Sequence, residues 1–296
     1  MLINRLSGGL GNQLFQYAFG LYLELIHQRR VLTDAAYLSA NKNAPLLTQR
    51  HYSLHIFNIR PKFCNQWHLS LFQQSRYWRL NALAEKFFNT HLYQQIEESD
   101  DFSVEQLSDH ALLTGNWQDY RYVQAVATEL RKQLQFRNSL TKEALQWQQK
   151  IDNQPVAVAL HVRRGDYLKP HVAQMLPPLS WDYYLQAIEQ VQQQFGRQAF
   201  FYVFSDDTEW CRGQFASMDI PYAIVPNNFE NQMFADFQLM THCRHFVIAN
   251  STFSWWGAWL GTAADKQVWT PAQWYATPEL NQQKRAKLIP PDWHSI

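Results

Sequence analysis

Two adjacent arginines, Arg163 and Arg164, lie in the segment His161-Val162-Arg163-Arg164-Gly165-Asp166-Tyr167, directly after the apolar run Val156 to Leu160. Arginine stays ionised at any working pH and presents a planar fork of donors, which suits a polyanion whose charge rises during a reaction. The pair could equally be a solvated rim or a salt bridge with Asp166. Arg164-Gly165-Asp166 also spells an Arg-Gly-Asp tripeptide, but so short a match arises by chance, and nothing around it suggests a secreted adhesion module. Two further clusters follow apolar runs in the same way. Phe200 to Phe204 leads into Ser205-Asp206-Asp207, and Phe246 to Ala249 into Asn250-Ser251-Thr252-Phe253-Ser254. Ser251, Thr252 and Ser254 stand where a helix begins and can cap it, or bond phosphate oxygens alongside its free amides. Asp206 and Asp207 suit the ring NH and amino group of guanine or the hydroxyls of ribose. They could instead cap a helix beginning at Asp207-Thr208-Glu209 or hold a divalent cation, a role made less necessary by the arginines.

The elements that must position these groups alternate. Helical stretches from Trp181 to Phe195 and from Asn231 to Cys243 separate the three strand-like runs, which implies a parallel sheet. Ligands of such sheets bind outside the carboxyl ends of the strands, where all three polar clusters fall, and this convergence favours a functional reading of the arginines. The first half opens with a strand over Leu2 to Leu6, the turn Ser7-Gly8-Gly9-Leu10-Gly11-Asn12, and a helix with Leu14, Tyr17, Ala18, Leu21 and Leu25 on one face. Glycines before a helix let backbone amides approach an anion, although this turn is neither the spaced dinucleotide fingerprint nor a lysine-bearing phosphate loop. The middle is irregular, with helical stretches at Leu69 to Phe88 and Arg121 to Gln149. Asn153-Gln154-Pro155 marks the expected boundary, giving an N-terminal domain over 1–152 and a C-terminal domain over 153–296.

With 296 residues, the chain can form two domains with cores of their own. A net charge of +1 without a basic stripe argues against nucleic acid as a partner. Lys284, Arg285 and Lys287 read as a solvated helix face, compatible with no more than peripheral membrane association. Three scattered cysteines, Cys64, Cys211 and Cys243, exclude a disulfide framework and a zinc site by spacing. With no signal-peptide pattern at the N-terminus, the expected location is the cytoplasm, including the inner face of the membrane. The uncharged stretch Phe246 to Ala264 reads as strand, polar turn and core helix rather than a membrane span. The 12 Trp, 14 Tyr and 19 Phe residues nudge the reading towards sugars, though most such rings belong in cores.

Four segments together, Gly8 to Ala18, His161 to Tyr167, Val203 to Asp207 and Asn250 to Leu260, resemble the motifs of bacterial α-1,2-fucosyltransferases, in family order and across nearly the whole chain. The resemblance implies an α/β fold of two Rossmann-like domains facing a cleft (GT-B type), with a parallel sheet in the C-terminal domain. It implies a metal-independent, inverting glycosyltransferase with no cofactor, in which GDP-fucose is a co-substrate. The acceptor would be a galactose-terminated oligosaccharide or lipid-linked glycan of a surface polysaccharide such as O-antigen. Arg164, then Arg163, would stabilise the leaving phosphate, with Asp166 as base or as clamp for the arginines. Donor contacts would come from Gly9, Gly11, Asn12 and Gln13, from His161, Arg163 and Arg164, from Ser205, Asp206 and Asp207, and from Asn250, Ser251, Thr252, Phe253 and Ser254. Asp34, Glu24 and His27 are further candidates for the general base. The alternatives are a transferase using another nucleotide sugar and a non-catalytic carbohydrate-binding protein.

Overall fold

The computed structural model describes residues 1–40, 50–70, 72, 94–99, 102–226 and 232–296. The chain forms two compact units, 1–137 and 138–296. The second therefore begins ahead of the expected boundary at 153. Helix α3 (Lys142–Asp152), whose end marks that boundary in the sequence, packs with the second unit: Tyr202 donates to the Lys150 carbonyl at 2.8 Å, and His242 Nδ1 meets Asp152 at 2.9 Å.

The first unit holds four parallel strands, β1 (Leu2–Arg5), β2 (Val31–Asp34), β3 (Gln94–Glu97) and β4 (Ala111–Thr114), in the order β2-β1-β4-β3. Alternate side chains build its two faces, as strand geometry requires. Leu2, Val31, Ala111 and Leu113 pack with Phe19 and Leu23 of helix α1 (Leu10–Leu25), while Ile3, Leu32 and Leu112 pack on the other side with Phe72. Trp117 closes the α1 side, stacked on Phe19 with ring centroids 4.2 Å apart. The stretch expected as one helix from Arg121 to Gln149 is broken into α2 (Tyr120–Ala125), a second turn of helix over Ala127–Gln133, and α3. Val126 leaves the helical region at φ −119°, ψ 19°. Most of the stretch Leu69 to Phe88 lies outside the described residues.

The second unit holds six parallel strands, β5 (Val156–Val162), β6 (Ala199–Ser205), β7 (Tyr222–Ile224), β8 (His245–Val247), β9 (Val268–Thr270) and β10 (His294–Ser295), in the order β10-β9-β8-β5-β6-β7. β5 lies at the centre and is buried on both faces, which explains its continuous apolar run. Helix α4 (Trp181–Phe195) lays Tyr184, Ala187, Ile188 and Val191 on Val158, Leu160, Val162, Phe201 and Val203. Helices α5 (Thr208–Phe215), α6 (Gln232–Thr241) and α7 (Thr252–Leu260) follow β6, β7 and β8. The uncharged stretch beginning at Phe246 resolves into β8, a turn and the buried helix α7, and no described helix is long and apolar enough to cross a membrane. Chain progression runs outward from β5 through β6 to β7, then returns to β8 on the opposite side of β5. The strand order therefore reverses between β5 and β8, the position at which parallel sheets bind ligands.

Candidate functional site

β5 ends at Val162, and the next residues carry both guanidinium groups to the carboxyl edge of the sheet. Val162 is paired with Ser205, so Asp206 and Asp207, just past the end of β6, come level with the arginines. One Asp206 carboxylate oxygen accepts the Arg164 backbone N–H at 2.9 Å, and the other pairs with Arg163 Nη1 at 2.8 Å. A Cβ at Gly165 would collide with this carboxylate, so glycine permits the approach. Arg163 Nη2 meets Asp166 at 2.5 Å. Burial acts to lower the Arg163 pKa, but Asp206 and Asp166 outweigh it and leave the group raised above its ordinary value.

Arg164 is held differently. Its Nε donates to Asp207 at 3.0 Å, and its guanidinium carbon lies 4.2 Å from the centre of the Trp210 ring, a cation–π contact. The second Asp207 oxygen accepts the Trp210 N–H at 3.1 Å and caps α5. Arg163 is thus clamped through both terminal nitrogens, whereas Arg164 is fixed from Nε and from one face. Its Nη1 and Nη2 make no hydrogen bond or ion pair among the described residues. Asp206 and Asp207, expected to read guanine or ribose, hold the arginines, because the β5–β6 register brings opposite charges level.

The remaining expected residues of this unit divide. His161 is buried, its ring 5.6 Å from that of Phe253, and its Nδ1 has no hydrogen-bond partner among the described residues. Burial first, then Arg163, pushes its pKa down to about 3, so the imidazole is neutral and supplies no phosphate-binding charge. Asn250 donates to the Pro177 and Trp274 carbonyls at 2.9 and 3.1 Å, tying two loops together through its Nδ2. Ser254 is fully buried with its hydroxyl on backbone carbonyls, and Ser205 accepts the Asp207 N–H at 2.9 Å. Ser251 is the N-cap of α7, but its side chain makes no bond to a helix amide, leaving the first turn at Thr252 without a side-chain cap. Sequence reasoning missed two aromatics. Trp210 lies three residues past the cap at Asp207, a spacing that could have placed it under the arginine, and Tyr167 donates to the Asn250 carbonyl at 3.0 Å.

In the first unit, Gly8 turns the chain at φ +72° and Gly9 is the N-cap of α1, again without a side-chain cap. Gly11 and Asn12 form its first turn, with Asn12 Oδ1 accepting from Gln118 at 3.1 Å. Gln13, expected to contact the donor, is fully buried: its amide donates to the Gly8 and His51 carbonyls at 2.9 and 2.8 Å and accepts the Ser53 N–H at 2.9 Å. Its side chain holds the glycine turn against residues 51–53. The sequence did not single out Arg50, whose Nη1 lies 3.8 Å from where a Gly9 Cβ would stand. The further base candidates are displaced or engaged. Asp34 is 1 % exposed, bonded to Arg5 Nε at 2.8 Å and to the Ala36 N–H at 3.0 Å. Glu24 faces the Val31 N–H at the start of β2, the opposite end of the sheet from the strand exits. His27, two residues past the end of α1, has a buried Nε2 without a hydrogen-bond partner among the described residues.

Residues 3–296 match the family described as glycosyl transferase family 11. The chain is 31% identical to the O-antigen biosynthesis glycosyltransferase WbnK of Escherichia coli, over 98% of this chain and 99% of that protein. It is 30% identical to an alpha-1,2-colitosyltransferase of Escherichia coli, over 95% and 94% of the two. It is 24% identical to the galactoside 2-alpha-L-fucosyltransferase Sec1 of Mus musculus, over 88% of this chain and 64% of that one. Among solved structures, Arabidopsis thaliana FUT1 (mutant R284K, with GDP) shares the fold at a TM-score of 0.51 and 12% identity, covering 91% of this chain and 69% of that one. Fucosyltransferase NodZ from Bradyrhizobium does so at 0.51 and 12%, covering 87% and 91%. A match running from β1 to the C-terminus, joined to parallel α/β units of this kind, makes the chain a member of glycosyl transferase family 11.

Proposed function

We propose that this glycosyltransferase moves L-fucose from GDP-β-L-fucose to the 2-hydroxyl of a terminal galactose in a bacterial surface glycan, with inversion and without a metal ion. The observation that carries the reading is Arg164, fixed at Nε and on one face, with its terminal nitrogens unengaged among the described residues. As the bond from the anomeric carbon to the β-phosphate oxygen lengthens, the sugar gains oxocarbenium character and the phosphate gains charge. A preset guanidinium fork binds that charge more strongly in the transition state than in the substrate. Arg163, neutralised by Asp166 and Asp206, sets the backbone from which Arg164 projects. The similarity to WbnK supports an O-antigen glycan as acceptor, and the GDP in the Arabidopsis structure of the same fold supports a guanine nucleotide donor.

A second reading has its own observation: the full-length similarity to an alpha-1,2-colitosyltransferase. Colitose is fucose lacking the 3-hydroxyl, and a site built to bond that hydroxyl discriminates strongly against its absence. One experiment tests both. GDP should raise the melting temperature and UDP should not. Transfer from GDP-fucose and GDP-colitose to lactose, lacto-N-biose and Gal-β-1,3-GalNAc, with the product linkage determined, should show an α-1,2-fucoside. A UDP-specific shift, or a linkage to another hydroxyl, would refute the reading, and preference for GDP-colitose would establish the second one.

A further inference from the structure

The two arginines differ in the kind of partner that holds them. The N–H donors of a guanidinium all lie in its plane. A carboxylate neutralises the cation by taking donors from that plane, whereas the face of an aromatic ring attracts the cation and takes none. Arg163 has both terminal nitrogens on carboxylates, with the Tyr167 ring centre 5.6 Å from its guanidinium carbon. Arg164 has a carboxylate at Nε and the Trp210 ring at 4.2 Å.

Trp210 is tied to that same carboxylate. It is the third residue of α5, and its N–H donates to Asp207 Oδ1 at 3.1 Å, while Asp207 Oδ2 accepts from Arg164 Nε at 3.0 Å. Asp207 thus fixes one edge of the guanidinium and also the backbone that carries the ring lying on its face. The ring is supported in turn from α4. Trp181, the first residue of that helix, meets Trp210 edge-on, with centroids 5.7 Å apart and planes at 82°, and meets Phe215 of α5 in the same way at 5.1 Å and 72°. Phe215 is fully buried, and Trp181 and Trp210 both pack against the core to which it belongs. The position of the Arg164 guanidinium is therefore set by the core of the second unit, through groups that all lie within 138–296.

We propose that Trp210 is a positioning residue for the transfer: its ring holds the Arg164 guanidinium in place without occupying Nη1 or Nη2, leaving both for phosphate oxygens of the departing nucleotide. The inference rests on the reaction proposed above, in which Arg164 meets the charge gathering on the β-phosphate. A second carboxylate in place of Trp210 would repeat the arrangement at Arg163 and use up the fork. An aliphatic side chain would leave the guanidinium pinned at Nε alone and hydrated on both faces, so that it must be reoriented and desolvated as the transition state forms. Loss of such a role shows in kcat more than in the KM for the donor, because the fork matters most where the phosphate charge is greatest.

A double-mutant cycle tests this. Trp210→Leu, Trp210→Phe and Arg164→Ala are compared, singly and combined, with wild type for kcat, donor KM, melting temperature and the thermal shift with GDP. Trp210→Leu should lose about tenfold in kcat, the equivalent of a cation–π contact of ordinary strength, with little change in donor KM. Trp210→Phe, which keeps a ring, should fall between Trp210→Leu and wild type. In the Arg164→Ala background either substitution should change kcat by less than about twofold, since the group it positions is gone. Wild-type kcat in Trp210→Leu would overturn the proposal, as would an equal loss in both backgrounds, the mark of a purely structural role. Where Trp210→Leu does not fold, the Trp210→Phe cycle decides in the same way. Wild-type kcat in Arg164→Ala would refute the assignment of the leaving phosphate to Arg164, and this inference with it; an impaired Arg164→Ala beside a fully active Trp210→Leu would refute this inference alone.

Discussion

At the scale of the residue, the pair Arg163 and Arg164 divides into unlike parts. Arg163 is a structural cation between two carboxylates, and Arg164 is a preset fork. Arg164→Ala should therefore keep a native circular-dichroism spectrum and lose at least about a hundredfold in kcat, because removing one aimed donor group has that effect in comparable sites. Arg164→Lys should recover little, since an ammonium has neither the fork nor the flat face that lies on Trp210. Rates near wild type in Arg164→Ala would remove this residue from the chemistry. The sequence showed two arginines beside an aspartate. It could not rank them by partnership, because the carboxylates of Asp206 on Arg163 and of Asp207 on Arg164 follow another strand.

At the scale of the element, α5 and β5 share a residue. Asp207 caps α5 through one oxygen and holds Arg164 through the other. Two substitutions separate these duties. Asp207→Asn retains a good cap and loses the charge, so its melting temperature should stay near native while kcat falls. Asp207→Ala loses both, with about 1 kcal/mol of stability removed in addition. Equal kcat in Asp207→Asn and wild type would show that the clamp is only a cap. The cap at Asp207 was legible as one of three readings of the sequence, and the structure adds an ion pair that none of them named. The glycine turn was also legible, but its service by Gln13 and Gln16 was not. Both glutamines are fully buried among backbone groups that the sequence scatters from residue 7 to residue 115.

At the scale of the whole molecule, the buried His161 couples the second unit's stability to pH. Its pKa is about 3 in the folded chain against an ordinary 6.5, so between those values the unfolded chain binds a proton that the folded one does not. Stability from this group is complete above about 6.5 and should fall as the pH drops towards 3, a slope read from melting temperatures across that range. His161→Phe should flatten the slope; an unchanged slope would mean that other groups set it. Three strands of this unit, β5, β6 and β8, its helices α4, α6 and α7, the three polar strand ends and the family itself were legible in the sequence, whereas the short strands β7, β9 and β10 were not. Apolar runs and their periodicity are local, and the motifs are contiguous. Only the tertiary structure decided that α3 belongs to the second unit, which carboxylates hold the arginines, and that Gln13 and Gln16 hold the glycine turn. Each depends on groups brought together from distant parts of the chain by parallel pairing or helix packing, and no local pattern encodes that register.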